Sequence, residues 1–143
     1  MMISTKGRYA LRVMIDLAEH QTEGYIPLKE IAERQEISEK YLESILKSLV
    51  RDKVLTGLRG KGGGYRLSKP PELCTVGSVL RLTEGSLAPV SCLDAGSEPC
   101  PRMDSCRTLP MWKKLDTLIN DFFDDITIAD LAAPAMEGNN YVI

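Results

Sequence analysis

Leu28-Lys29-Glu30-Ile31-Ala32-Glu33-Arg34-Gln35, then Glu36-Ile37, then Ser38-Glu39-Lys40-Tyr41-Leu42-Glu43-Ser44-Ile45-Leu46-Lys47-Ser48-Leu49-Val50 is the stretch that decides how this 143-residue chain folds. Residues 28–35 read as a short helix with Leu28, Ile31 and Ala32 facing inward. Gln35-Glu36-Ile37 turns the chain. Ser38 caps a further helix to about Leu49 or Val50, whose apolar positions Leu42, Ile45, Leu46 and Leu49 fall on one face. A short helix, a tight turn and a capped helix of about three turns form the helix-turn-helix pattern. Val54-Leu55-Thr56-Gly57-Leu58 then reads as a strand and Tyr65-Arg66-Leu67-Ser68 as its partner, with Arg59-Gly60-Lys61-Gly62-Gly63-Gly64 turning between them. A glycine-rich, doubly basic hairpin in that place is a wing.

Upstream, Tyr9, Ala10, Val13, Met14, Leu17 and Ala18 recur at helical spacing and predict a helix over residues 6–20 with Thr5 as its N-cap. Downstream, Pro70-Pro71 ends the module. Residues 76–82 predict a shorter helix, and 87–104 look irregular. A long helix is expected over 109–125, with Trp112, Leu115, Leu118, Ile119, Phe122, Phe123 and Ile126 as an apolar stripe. Lys113, Lys114, Asp116, Asp121 and Asp124 are placed opposite. Thr127 is expected to cap a last short helix through Leu131, and Pro134 onward reads as a tail. The expected fold is mainly α with a small β wing. It divides into a winged helix-turn-helix over 1–70, a connecting segment over 71–90, a cysteine loop over 91–108, a dimerisation helix over 109–126, and a short helix and tail over 127–143.

The net charge of −2 hides an asymmetry. Residues 1–70 hold 13 Lys and Arg against 9 Asp and Glu, whereas residues 71–143 hold 5 against 11. Between Arg51 and Lys69 six basic residues face one acid, Asp52. Such a local concentration points to double-stranded DNA despite the acidic whole. The residues free to face a major groove are Ser38, Glu39, Lys40, Tyr41, Glu43, Ser44 and Lys47. The serines suit phosphate or base edges, the lysines neutralise phosphates, and Glu43 suits cytosine N4. Arg59, Gly60 and Lys61 form the wing tip, where a guanidinium suits a minor groove and glycine lets backbone approach backbone.

The stripe on the long helix needs a cover. A winged helix already has its own small core, so a second copy of the chain is the expected partner. Two-fold symmetry would also set two recognition helices about one DNA turn apart. No apolar run approaches the roughly 18 residues of a membrane span, and the N-terminus lacks a signal-peptide pattern, so a cytoplasmic location is expected.

Cys92, Cys100 and Cys106 lie within fifteen polar residues. In a reducing compartment clustered thiols bind metal or sense redox more often than they staple a fold. Zinc would want a fourth Cys or His, and the one histidine, His20, sits at the far end of the first helix. Cys74 precedes a helix and reads as a small buried residue. Enzyme chemistry is not expected: there is no Ser–His–Asp arrangement, no nucleotide loop and no paired acids in a pocket context.

These features together resemble one known family, the dimeric winged-helix regulators of the Rrf2 type, and most closely its iron–sulfur-assembly branch. The residues that carry the resemblance are Ser4-Thr5-Lys6-Gly7-Arg8-Tyr9-Ala10, Ile37-Ser38 with Tyr41-Leu42-Glu43, Arg59-Gly60 with Gly62-Gly63-Gly64-Tyr65, and the three cysteines followed by Trp112. The resemblance implies a homodimer whose long helices cross-pack. It implies an iron–sulfur cluster on Cys92, Cys100 and Cys106, [2Fe-2S] ahead of [4Fe-4S], and a glutamate at Glu43 that separates classes of DNA site. The chain departs from the pattern where the fourth ligand belongs. Leu109 stands where the assembly regulators have histidine, and Arg8 where nitric-oxide sensors have a carboxylate. Asp94, Glu98, Asp104, Ser97, Ser105, a partner-chain group or an exogenous thiol are the alternatives. The segment 137–143 is more similar to the cysteine-metabolism repressors, which have no cluster cysteines. The expected function is therefore iron–sulfur-dependent transcriptional regulation, of cluster-assembly genes. The alternative is a cluster-free thiol-redox or cysteine-metabolism repressor that docks onto a metabolic enzyme.

Overall fold

The computed structural model describes residues 2–132, so the expected tail from Pro134, including 137–143, lies outside the described residues. The elements follow in the order α1 (Thr5–Glu19), α2 (Leu28–Gln35), α3 (Glu39–Arg51), β1 (Leu55–Leu58), β2 (Gly64–Leu67), α4 (Val76–Glu84), α5 (Leu109–Asp124) and α6 (Ile128–Ala132). Short 3-10 turns at Pro71–Leu73, Ser91–Leu93 and Met103–Ser105 were not legible as periodic segments. The fold is mainly helical with one two-stranded antiparallel sheet, as the pattern predicts.

The helices form where the apolar period puts them, and local chemistry ends them. Ser38 caps α3 by accepting the Tyr41 amide, and Thr75 caps α4 by accepting that of Ser78. Each satisfies an amide that the first turn leaves without a partner. For α1 the cap is Ser4, which accepts the Gly7 amide at 3.1 Å, and Thr5 is the first helical residue. The expected cap was off by one because a distant group fixes Ser4: both oxygens of Glu84 accept from it.

Ala10, Val13, Met14 and Leu17 of α1 pack with Ile31 and Ala32 of α2, Leu42, Ile45, Leu46 and Leu49 of α3, and Leu55 of β1. That core extends beyond Pro71 to take in Cys74, Val79 and Ile128. Ile128 reaches it because the chain returns: Val76 donates to the Ile126 carbonyl and Ile128 to that of Cys74, each at 2.8 Å. Thr127 and Asp130 then exchange side chain-to-amide bonds, a reciprocal cap that starts α6. Burying a side chain of this size stabilises by about 1.5–3 kcal/mol, which fastens the last helix to the first.

A second, smaller core of Val76, Leu80 and Leu87 seats α5 through Ile119 and Phe123. The apolar stripe of α5 is therefore split rather than continuous. Its other half, Leu115, Leu118 and Phe122, stays exposed, together with Met111, which the expected stripe did not include. Asp116 and Asp124, expected on the solvated face, also take part in a polar seam, Asp124 while remaining exposed. Arg81 donates to Asn120 Oδ1 and pairs with Asp124 at 2.7 Å, and Asn120 donates to Asp116. Gly77 makes that approach possible, since a Cβ there would lie 2.1 Å from Asp124 Oδ1.

One fully buried carboxylate organises the helix-turn-helix. Asp16 accepts from Arg34 Nε at 3.0 Å and Nη2 at 2.8 Å, and from Gln35 Nε2 at 2.8 Å. The Asp16 bond raises the Arg34 guanidinium above its ordinary value. The two partners are not equivalent, because Asp16 is sealed while the Arg34 side chain is 32% exposed. Replacing Arg34 by Met strands a buried charge and should cost about 3–5 kcal/mol of stability. Asp16→Asn should cost less, since the guanidinium can turn to water. Urea denaturation of the two variants checks the order, and an equal or reversed loss contradicts it.

Candidate nucleic-acid interface and cysteine loop

Ser38, Glu39, Lys40, Tyr41, Glu43, Ser44 and Lys47 all lie on the exposed face of α3, opposite the buried Leu42, Ile45, Leu46 and Leu49. Several are already engaged. The Ser38 hydroxyl holds the α3 cap, and the Ser44 hydroxyl donates to the Tyr41 carbonyl at 2.7 Å. Glu43 pairs with Lys47 at 3.1 Å. An exposed i, i+4 pair of this kind is worth only about 0.3–0.5 kcal/mol, so either member is readily released to a base or a phosphate.

Arg59, Gly60 and Lys61 project from the exposed wing tip. Gly63 and Gly64 make its geometry possible. A Cβ on Gly63 would lie 2.3 Å from the Leu58 carbonyl oxygen, and one on Gly64 would lie 2.2 Å from that of Ile26. The second crowding arises because Tyr65 and Ile26 exchange backbone hydrogen bonds at 2.8 and 2.9 Å, adding a third strand-like segment to the hairpin. The wing is thus fixed to the chain entering α2. Between wing and α3 opens a cleft lined by Glu43, Lys47, Leu58, Arg59 and Gly60, together with Pro27 and Leu28. The structure brings Glu43 and Lys47 of the α3 set together with Arg59 and Gly60 of the wing set across this cleft, while Ser38, Glu39, Lys40, Tyr41, Ser44 and Lys61 do not line it.

Two groups of supporting residues were missed in the sequence. The Tyr9 ring meets Tyr41 edge-on at 5.7 Å, and Arg12 lies over Tyr9 at 5.0 Å. Arg12 also bonds the side chain and carbonyl of Gln35, at the turn before α3. Periodicity had assigned Tyr9 to the core face, and nothing in the spacing marks a contact to Tyr41. On the wing, Arg66 stacks over Tyr25 at 4.5 Å.

The cysteine loop leaves α4 at Gly85 and enters α5 at Thr108. All four thiols are free: Cys92 is exposed, Cys100 and Cys106 are half-buried, and Cys74 is buried. Burial raises the Cys74 thiol, which suits a packing role. Cys106 differs. Its sulfur lies 3.5 Å from the Thr108 hydroxyl, and that hydrogen bond, with the Thr108 and Leu109 amides, holds the Cys106 pKa below the ordinary thiol value. Cys100 sulfur accepts the Arg102 amide at 3.4 Å.

The donor set fits an iron–sulfur cluster in its chemistry. It offers three soft, unpaired thiols on one exposed loop, two of them receiving the hydrogen bonds that favour a thiolate. The geometry is open, because among the described residues no three His, Cys, Asp or Glu side chains converge on one point. Of the alternatives for a fourth ligand, Ser97 and Ser105 donate to loop carbonyls, while Asp94, Glu98 and Asp104 are exposed. Leu109 is half-buried at the start of α5, and His20 turns its Nδ1 toward the Asp16 carbonyl at 2.8 Å, far from these thiols in the chain.

Comparison with known proteins decides the family. The Rrf2 description, "Iron-dependent Transcriptional regulator", matches residues 3–134. The chain belongs to the Rrf2 family. The chain is 39% identical over 131 residues to the HTH-type transcriptional regulator IscR of Erwinia tasmaniensis, covering 92% of this chain and 78% of that protein. Among solved structures it is similar to CymR, the global cysteine regulator of B. subtilis, with TM-score 0.75 and 36% identity over 93% of this chain and 97% of that one. It is also similar to T. potens IscR, with TM-score 0.73 and 34% identity over 100% and 94%. This Rrf2 protein is accordingly a DNA-binding transcriptional regulator and not an enzyme. No helix among its described residues is long and apolar enough to cross a membrane.

The cleft geometry separates two kinds of contact. Arg59→Ala should weaken binding about equally on all duplexes selected by the full-length chain, and should lower the salt slope by about 1. Glu43→Ala should instead change which duplexes are preferred. Fluorescence anisotropy across a panel of selected sites checks both, and a uniform loss for Glu43→Ala removes its discriminating role.

Proposed function

We propose that this Rrf2 regulator is a homodimer whose DNA binding depends on an iron–sulfur cluster held by Cys92, Cys100 and Cys106, and that it controls cluster-assembly genes. The observation that carries the reading is the grouping of three free thiols on one exposed loop between α4 and α5. The cluster would supply a centre responsive to oxidants and to iron and sulfur supply, [2Fe-2S] ahead of [4Fe-4S]. The chain's own residues do the rest. Ser38, Lys40, Tyr41, Glu43, Ser44 and Lys47 meet the major groove, and Arg59, Gly60 and Lys61 meet the flanking backbone and minor groove. Names of relatives support the assignment: the family is described as iron-dependent, and several relatives are named IscR. The setting of such a regulator is the cytoplasm.

The exposed half of α5, Met111, Leu115, Leu118 and Phe122, supplies the dimer surface. A contiguous apolar face of this kind is more stable covered than wet. Phe122→Asp with Leu118→Asp should convert the protein to a monomer in light scattering. It should also weaken operator binding steeply, because one helix-turn-helix alone holds its site poorly. A dimer that persists would place the interface elsewhere.

A second reading has its own support, the likeness to CymR and the open arrangement of the thiols. In it the loop senses thiol oxidation without a cluster, and the protein represses cysteine-metabolism genes, with a metabolic enzyme as docking partner. Anaerobic purification separates the two. Under the first reading the protein is brown, and Cys→Ala at position 92, 100 or 106 removes the visible absorbance. A colourless anaerobic preparation that binds its DNA with full affinity favours the second.

A further inference from the structure

From the root of the cysteine loop to the recognition helix runs a path of contacts by way of the start of α1. Its first member is Glu84, the last residue of α4 before Gly85 opens the loop. Across 80 residues of sequence its Oε1 accepts the Ser4 amide at 2.6 Å and its Oε2 accepts the Ser4 hydroxyl at 2.7 Å. The same Ser4 oxygen caps α1 through Gly7. Gly7 is shaped to this contact, because a Cβ there would lie 3.0 Å from Glu84 Oε2 and 3.1 Å from Thr83 Oγ1. Burial pushes the Glu84 carboxyl up, but the bonds from Ser4 and Thr83 and the nearby Lys6 outweigh it and hold it below the ordinary value. Two residues beyond Gly7 stands Tyr9, whose ring edge meets Tyr41 on α3.

We propose that Glu84 is a positioning residue for DNA binding, tying the root of the cysteine loop to the recognition helix through the α1 cap, with Tyr9 as the far end of the tie. The physical argument is short. A helix is stiff over one turn, so displacement of Ser4 by Glu84 carries Tyr9 with it. Tyr41 is 38% exposed and packs edge-on against Tyr9, so it follows. The tie itself concerns DNA binding. Its use as a signal path rests on the reading that the cysteine loop is the sensor.

The test uses the full chain and a fluorescein-labelled duplex selected from random sequence. Glu84→Gln and Tyr9→Leu should each weaken binding by about two- to thirtyfold, the range for residues along a coupling network. Because the two side chains are separated by α1, independent roles would multiply. Along one tie they do not: the double variant should bind no more weakly than Tyr9→Leu alone. Multiplying losses overturn the proposal. Ser4→Ala, which removes the hydroxyl bond from the other side, should reproduce the Glu84→Gln result should that variant prove poorly folded by circular dichroism. The signal arm uses iodoacetamide, which reaches the three loop thiols and spares Cys74, 7% exposed. Alkylation should change the affinity of the wild type and leave Glu84→Gln unmoved. An equal response in both overturns the path through Glu84. No response in the wild type, with the non-multiplying pair intact, keeps the tie and sinks the sensor reading instead.

Discussion

Everything this protein presents to DNA hangs on Asp16. A carboxylate sealed from water is stable only when charge and hydrogen bonds answer it, and here the Arg34 guanidinium and the Gln35 amide do so. Both partners come from the end of α2, so satisfying Asp16 fixes where α2 stops relative to α1. Glu36 then takes a left-handed conformation, φ 55°, and Ile37 plugs back into the core. The direction of α3 is set by that corner. Arg12 repeats the device one turn earlier, reaching Gln35 from the other side. A hydrophobic core alone would allow the two helices to slide. These polar clamps leave one register.

How much of this the sequence revealed follows from what kind of contact was involved. Elements built on local rules were legible: α2 and α3 from their apolar period and the Ser38 cap, the hairpin from its glycines, α6 from Thr127. The misses share a cause. The α1 cap shifted to Ser4 because Glu84, far away in sequence, holds it. The α5 stripe divided because α4 seats only the half that carries Ile119 and Phe123, and Arg81 of α4 pairs with the still-exposed Asp124. Neither contact leaves a local signature. The 3-10 turns of the loop are too short to show a period.

The candidate site divides along the same line. The exposed face of α3 and the basic wing tip were legible from spacing, whereas the cleft that joins Glu43 and Lys47 to Arg59 and the wing's attachment to Ile26 were not. The loop cysteines were conspicuous as residues and silent as geometry, because polar loops carry no periodicity from which convergence can be read. Family membership bears out the regulator's role on DNA that the winged-helix pattern implied, while the ligands and the partner stay with the proposals above.

The seam of Arg81, Asn120 and Asp124 has one more consequence, for the thiols it never touches. By locking α4 to the C-terminal half of α5 it holds together the two helices that bracket the cysteine segment, so the loop is closed before any sulfur finds another. Closing a free chain of that length would be entropically unfavourable, and here folding has already met that requirement. Each thiol then meets its neighbours at an effective concentration on the order of millimolar, whatever the protein's own dilution in the cell. The polar seam thereby bounds how far the loop thiols can move apart.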